Sequence, residues 1–314
     1  MFGTGLVGKV YFRRAIHRAE GILLAMLCAL FLACYVSAGQ RHQAVEWSSF
    51  APAIAICFAL IGIGFYLRVV KNAPRLGLGV VGFGIFMAFT GTVSILAFTV
   101  FPFIHRRVDL QLMDLDAKVG FVWLEFVEKI ANVPNLGWAL RMVYETSLFQ
   151  MMFVILLMAF LNRPTEMHRF LLTAIIAMMV TLTIWWEWPS VGPPGYVTIP
   201  QDLAIRSSLM ADHAVGAMLV GWANEGASII TPDIVTGTVS FPSYHLIMAL
   251  LVVWFTRRTV FFAPILVLNT IMIPATILHG GHHLIDLLGG VLTFGLCLWF
   301  TCWLVPHPAT EPSD

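Results

Sequence analysis

Apolar runs punctuated by short clusters of charge set the pattern of this chain. Runs at about 20–38, 49–67, 77–103, 147–162, 170–187, 243–257, 259–278 and 285–305 predict eight membrane-spanning helices. The stretch from Leu76 to Ile104 carries no charge at all, and it exceeds the roughly 20 residues a helix needs to cross a bilayer. The expected fold is therefore all-α, a polytopic membrane helix bundle. The first run follows Arg13, Arg14 and Arg18 and ends in Val36-Ser-Ala38, as a signal peptide does. Its length, and the second span directly after it, predict an uncleaved anchor instead.

Two segments between spans are too long to be simple connectors. Within residues 105–146, the stretch Asp116–Ala131 places Val119, Val122, Trp123, Phe126 and Ile130 on one side and Lys118, Glu125, Glu128 and Lys129 off it. That pattern predicts a helix lying in the membrane interface. Residues 188–242 are rich in Gly and Pro, beginning with Trp188-Pro-Ser-Val-Gly-Pro-Pro-Gly195. Both segments are expected to pack over the bundle or to shape a substrate lid. No internal repeat or low-complexity tract interrupts the chain.

Composition agrees with this pattern. Of 314 residues, 59% are hydrophobic and 11% charged, against about 25% charged in soluble domains. The net charge of +1 offers no basic run for nucleic acid. Basic residues are distributed unevenly: Lys9, Arg13, Arg14, Arg18, Arg68, Lys71, Arg75, Arg163, Arg169, Arg257 and Arg258 fall in short connections on one side. Arg41, Arg106, Arg107, Lys118, Lys129, Arg141 and Arg206 are spread over the long segments on the other. The positive-inside rule then puts both termini in the cytoplasm and the long segments on the outer face of a cytoplasmic membrane. Cys28, Cys34, Cys57, Cys297 and Cys302 all fall in apolar runs without metal-type spacing, and are expected to be small buried hydrophobes.

The candidate chemistry lies in two short segments at span mouths, Ser240-Phe-Pro-Ser-Tyr-His245 and His282-His-Leu-Ile-Asp286. A helix running inward from His245 to Arg257 and Arg258, and another returning outward, bring His245 and His282 to the same depth on the outer side. His282 and Asp286 are four apart, so the carboxylate can hold one imidazole nitrogen and leave the other free to attack. Ser243 and the amides after Pro242 are placed to hold an anionic oxygen. His245 is then the acid for a leaving group. An acidic residue at the edge of a span is functional by default, whereas His42, His105, His168 and His307 are expected to be polar caps. A metal site from His279, His282 and Asp286 is disfavoured, because Gly280-Gly281 takes His279 off the helix face.

Phe241-Pro-Ser-Tyr-His245 with Ala249, and Gly281-His282-His-Leu-Ile-Asp286 with Gly290, together resemble the two signatures of the type 2 phosphatidic acid phosphatase superfamily. The Phe-Pro-Ser form is similar to its inositolphosphotransferase branch, which includes inositol phosphorylceramide synthases. The resemblance implies a six-helix catalytic core within residues 76–306, a two-helix addition over 1–75 and a cytoplasmic tail over 307–314. It also implies phosphoryl transfer without metal or other cofactor, through a phosphohistidine. His282 is then the nucleophile, Asp286 its orienting partner, His245 the acid and Ser243 a phosphate contact.

Two features of the superfamily's pattern are missing. No lysine-to-Arg-Pro motif follows the span ending near Trp186, where Pro189 and Pro193-Pro194 stand instead. The position six before the nucleophile, usually arginine, is Thr276. Arg163-Pro164 imitates the motif on the wrong side. Since a phosphate dianion needs cations or donors, Arg206 and Arg141 are the expected replacements. The expected activity is hydrolysis of a lipid phosphate or diphosphate on the outer face. The alternatives are transfer of a phospho-headgroup to a lipid or polyol hydroxyl, and an inactive homologue acting as a transporter or scaffold.

Overall fold

Each apolar run in the chain is helical. The computed structural model describes residues 17–235 and 237–306; Lys9, Arg13, Arg14 and the tail 307–314, with His307, lie outside them. Among the described residues there are thirteen α-helices and no β-strand. These are α1 Arg18–Gln40, α2 Trp47–Val69, α3 Pro74–Thr99, α4 Asp109–Lys118, α5 Trp123–Ala131, α6 Leu136–Glu145 and α7 Ser147–Phe160. They continue as α8 Pro164–Glu187, α9 Gln201–Arg206, α10 His213–Glu225, α11 Tyr244–Thr256, α12 Phe262–His279 and α13 Leu284–Leu304. Pro74 and Pro164 open α3 and α8 at the first helical position, where the missing N–H costs nothing and the fixed φ suits the helix.

Six helices (α1, α2, α3, α8, α12 and α13) are long and apolar enough to cross a membrane. The fourth predicted span is α7 joined to α6, a pair bent by 42° at Thr146 that passes the same test as one unit. The sixth, α11, has only 13 residues, about 20 Å of helix. The chain is thus an all-α, multi-pass membrane bundle, with one of its eight apolar runs forming a helix shorter than a span.

The first two helices are joined tightly to the rest. Where α2 meets α3, Gly64 and Gly77 let the backbones touch: a Cβ on Gly77 would stand 2.6 Å from the Gly64 carbonyl oxygen. Small residues at such a seam replace the hydrophobic driving force that lipid cannot supply. Glu20 on α1 accepts two 2.7 Å hydrogen bonds from the Arg68 guanidinium on α2. His168 Nε2 on α8 lies 3.3 Å from the same carboxylate. His168 is fully buried, so it is an internal partner of Glu20 rather than the interfacial cap expected from sequence.

At this end of the bundle, Arg163 donates to the Arg258 carbonyl and Arg169 to the Val305 carbonyl. Arg68, Arg163, Arg169 and Arg258 therefore share one end, opposite the histidine motifs. Cys34, Cys57 and Cys297 are buried as expected, but Cys28 is exposed on the outward side of α1.

The segment 105–146 departs from the single helix over Asp116–Ala131 read from its sequence. Gly120, with φ of 77°, breaks Asp116–Ala131 between α4 and α5, and Val119 is 73% exposed. The buried face of α5 is Trp123, Val127 and Ala131. The Trp123 indole N–H donates to the Ile277 carbonyl at 2.9 Å, which fixes α5 to the end of α12. One face of this helix therefore packs on the bundle, and α6 packs along α12 beside it.

Candidate active site

Two helix N-termini meet at the end of the bundle opposite Arg258. Ser243 caps α11, its hydroxyl accepting from Leu246 N at 3.4 Å. Its own amide donates to the Asp286 carbonyl at 3.0 Å. The approach depends on Gly290, where a Cβ would stand 2.8 Å from the Ser243 carbonyl oxygen. His283 caps α13, and Asp286 in the first turn accepts from His283 N at 2.9 Å. This reciprocal cap is worth about 1 kcal/mol to the helix start, and it fixes the Asp286 carboxylate.

The sequence motifs converge at this junction. His282 Nδ1 stands 3.1 Å from Asp286 Oδ2, with both side chains buried. The helix begins only at Leu284, so the contact arises from the cap rather than from two turns of one helix face. The other nitrogen, His282 Nε2, lies 3.3 Å from the Ser243 hydroxyl. The His245 ring centre is 5.8 Å from that of His282. Ser240, not singled out by sequence, donates its hydroxyl to Asp286 Oδ2 at 2.9 Å. That one oxygen thus faces a hydroxyl, an amide and an imidazole.

Around this centre lies a second carboxylate–imidazole layer that the sequence did not disclose. His283 Nε2 is 3.4 Å from Asp109 Oδ1, and His283 Nδ1 is 3.8 Å from Asp116 Oδ2. Burial works against a charge on His283, but the Asp109 bond and the charges of Asp286, Asp109 and Asp116 outweigh it and raise its pKa. Asp116 accepts from Leu284 N and Ile285 N at 2.8 and 2.9 Å, capping α13 from outside. Burial raises its carboxyl despite these two bonds. Asp109 accepts from Val191 N and Gly192 N at 2.9 and 2.8 Å. These contacts draw α4 and the loop after α8 onto the start of α13. Gly192 is the closest point: with φ of +84°, its Cβ would stand 2.2 Å from the Gly281 carbonyl oxygen.

On the other flank, the Tyr144 ring of α6 stacks on His245 at 4.6 Å and lies 6.1 Å from the His279 ring. His279, the last residue of α12, has Nε2 3.0 Å from the Gly137 carbonyl, an N–H donor to α6 rather than a member of the His282 cluster. The sequence-derived phosphate cations each face a carboxylate of their own helix. Arg141, one turn before Tyr144, is held by Glu145 at 2.9 Å. Arg206 is held by Asp202 at 3.3 Å, its side chain half exposed. Both carboxylates sit four residues from their arginine, a pairing visible in the sequence.

The amides free to meet an anion are limited. Asp116 and Asp286 take the first amides of α13, whereas Tyr244 N and His245 N at the start of α11 engage no group among the described residues. Any oxyanion next to His282 Nε2 would therefore meet Ser243 and the open end of α11.

Fold and centre define an all-helical membrane protein whose buried histidine, carboxylate and hydroxyl groups meet where two helices begin. The family model of the PAP2 superfamily matches residues 110–300. The chain belongs to that superfamily, and so to a group of phosphoesterases and phosphotransferases. The matched stretch contains His245, His282, Asp286, Ser240, Ser243 and Asp116 but begins one residue after Asp109. Searches of curated proteins and of solved structures return no match.

Proposed function

We propose that this enzyme hydrolyses the phosphate or diphosphate of a membrane lipid through a phosphohistidine formed on His282. One observation carries the reading: Asp286 faces Nδ1 of His282 while Nε2 is turned to the Ser243 hydroxyl, with His245 beside it. An imidazole held by a carboxylate on one nitrogen presents the lone pair of the other. His282 Nε2 attacks phosphorus as the bond from phosphorus to the leaving oxygen breaks, and Asp286 balances the charge developing on the ring. His245, protonated, gives its proton to the leaving oxygen and releases the lipid alcohol. Neutral His245 then takes a proton from water, whose oxygen attacks the phosphohistidine. Inorganic phosphate leaves and His282 is restored. Ser243 and the open amides of α11 supply donors to the non-bridging oxygens.

The proposed setting is the outer face of a cytoplasmic membrane with both termini inside. It rests on the charge asymmetry of the sequence and on the collection of Arg68, Arg163, Arg169 and Arg258 at the opposite end from His282. The test uses purified enzyme with phosphatidate, an isoprenyl diphosphate and a phosphoinositide, with and without chelator, following free phosphate and new phospholipid. Acid quenching should trap phosphate on His282, and His282→Ala should be inactive. Full activity in His282→Ala would refute the mechanism. New phospholipid without free phosphate would replace hydrolysis by transfer to a lipid hydroxyl.

A further inference from the structure

The His282 centre is rich in negative charge. Asp286, Asp109 and Asp116 surround two imidazoles in a buried space. A phosphoryl group entering beside them brings more negative charge, and requires a cation with free donors. Most outer-segment cations are committed elsewhere. Arg141 and Arg206 are paired with Glu145 and Asp202, and Lys118 with Asp114. Arg41 donates to the carbonyls of Val100 and Pro102.

Arg107 differs from these. Its Nη1 is buried and has no hydrogen-bond partner among the described residues. A guanidinium donor withdrawn from water and left unpaired is costly unless a ligand completes it. The guanidinium lies over the Tyr196 ring, 5.6 Å from its centre. Such a contact orients the group without consuming its N–H donors.

Its surroundings connect Arg107 to the nucleophile. The next residue, Val108, donates its amide to the Pro189 carbonyl at 2.9 Å. Asp109 then accepts from Val191 N and Gly192 N. Three hydrogen bonds thus join residues 108–109 to the loop that carries Tyr196. That loop lies directly on the residue before His282: a Cβ on Gly281 would stand 2.8 Å from Pro194 Cγ. Asp109 also faces His283.

We propose that Arg107 is the cation that binds the phosphoryl oxygens of the substrate at the His282 centre. The assignment rests on the phosphohistidine reading above, and it places the charge on a segment outside both sequence motifs. Tyr196 acts as the platform that keeps the guanidinium in the loop, and the unpaired Nη1 is the donor reserved for phosphate.

The experiment compares Arg107→Gln, Arg107→Lys, Arg107→Ala, Arg141→Ala, Arg206→Ala and His282→Ala in the full-length protein. It measures kcat, KM for phosphatidate, inhibition by inorganic phosphate and melting temperature. Arg107→Gln should lower kcat/KM by about 100-fold and weaken phosphate inhibition by at least about tenfold. Arg107→Lys should keep part of the activity, and added guanidinium should partly restore Arg107→Ala. Arg141→Ala and Arg206→Ala should stay within about threefold of the parent enzyme. Parental activity in Arg107→Gln alongside inactive His282→Ala overturns the assignment and leaves the phosphohistidine standing. Loss of activity that tracks a lowered melting temperature, with no effect of lysine or guanidinium, also overturns it by giving Arg107 a structural role. Full activity in His282→Ala removes the underlying reading instead.

Discussion

Asp286 reaches His282 through the nitrogen that faces away from Ser243, at 3.1 Å. The same carboxylate oxygen is held by the His283 amide and the Ser240 hydroxyl, each at 2.9 Å. Orientation of the proposed nucleophile is therefore set by an anion that is itself fixed by a helix cap. Replacing Asp286 with Asn keeps the shape but removes the charge that supports an imidazolium. We expect kcat to fall by roughly 10²–10⁴-fold with little change in KM, measured by steady-state phosphate release.

Ser240 acts on that anion from outside the reacting groups. Ser240→Ala leaves Asp286 Oδ2 with one fewer donor. A hydrogen bond to a charged group is worth about 1.5–3 kcal/mol, so kcat should drop by about tenfold or more while the protein remains folded. Unchanged kcat would show that the cap alone fixes the carboxylate.

Asp116 tests how far the start of α13 depends on the segment 105–146. Its carboxylate caps Leu284 N and Ile285 N. Asp116→Ala should cost about 0.5–2 kcal/mol of stability, read as a lower melting temperature. Activity should fall with it, because the same turn carries the His282–Asp286 pair.

His283 gives the stability a direction with pH. Its pKa is raised in the folded protein by Asp109 and the neighbouring carboxylates, against the opposing effect of burial. A group of this kind contributes stability that is complete below its unfolded pKa, about 6.5. That contribution is lost as pH rises through the higher folded value. Melting temperature should therefore decline from about pH 6.5 upward in the parent protein. His283→Gln should abolish this part of the slope. A parallel slope in the variant would assign it to other groups.

Gly192 offers a test of the loop. A side chain there meets the Gly281 carbonyl and requires a positive φ. Gly192→Ala should destabilise by roughly 1–3 kcal/mol and displace the residue before His282. Lowered kcat at temperatures where the protein stays folded is the expected signature.

Much of this centre was legible in the chain because local rules carry it. The inward and return runs between His245 and His282 placed both histidines at one end, and the four-residue spacing paired Asp286 with His282, although the contact is made through the helix cap. What stayed hidden came from far along the chain. Asp109 and Asp116 lie more than 160 residues before His283, Leu284 and Ile285, which they contact, and no periodicity signals such a meeting. Asp116 instead fell into an amphipathic pattern that Gly120 interrupts. Arg141 and Arg206 are cations of the two long connecting segments, and a carboxylate one turn away already competes for each. Ser240 was seen as the first residue of a motif, but its bond to Asp286 depends on how two helix starts dock.

The shortness of α11 bears on how a substrate arrives. Its 13 residues rise about 20 Å, some 10 Å less than a typical hydrocarbon core. A helix this short, started from Arg257 and Arg258 in one headgroup layer, would leave His245 beneath the opposite one. A lipid would present its phosphate by sliding laterally between helices, and the relevant quantity becomes its mole fraction in the bilayer. Diluting the substrate with inert detergent at constant bulk concentration should slow the enzyme, and water-soluble short-chain phosphates should be poor competitors.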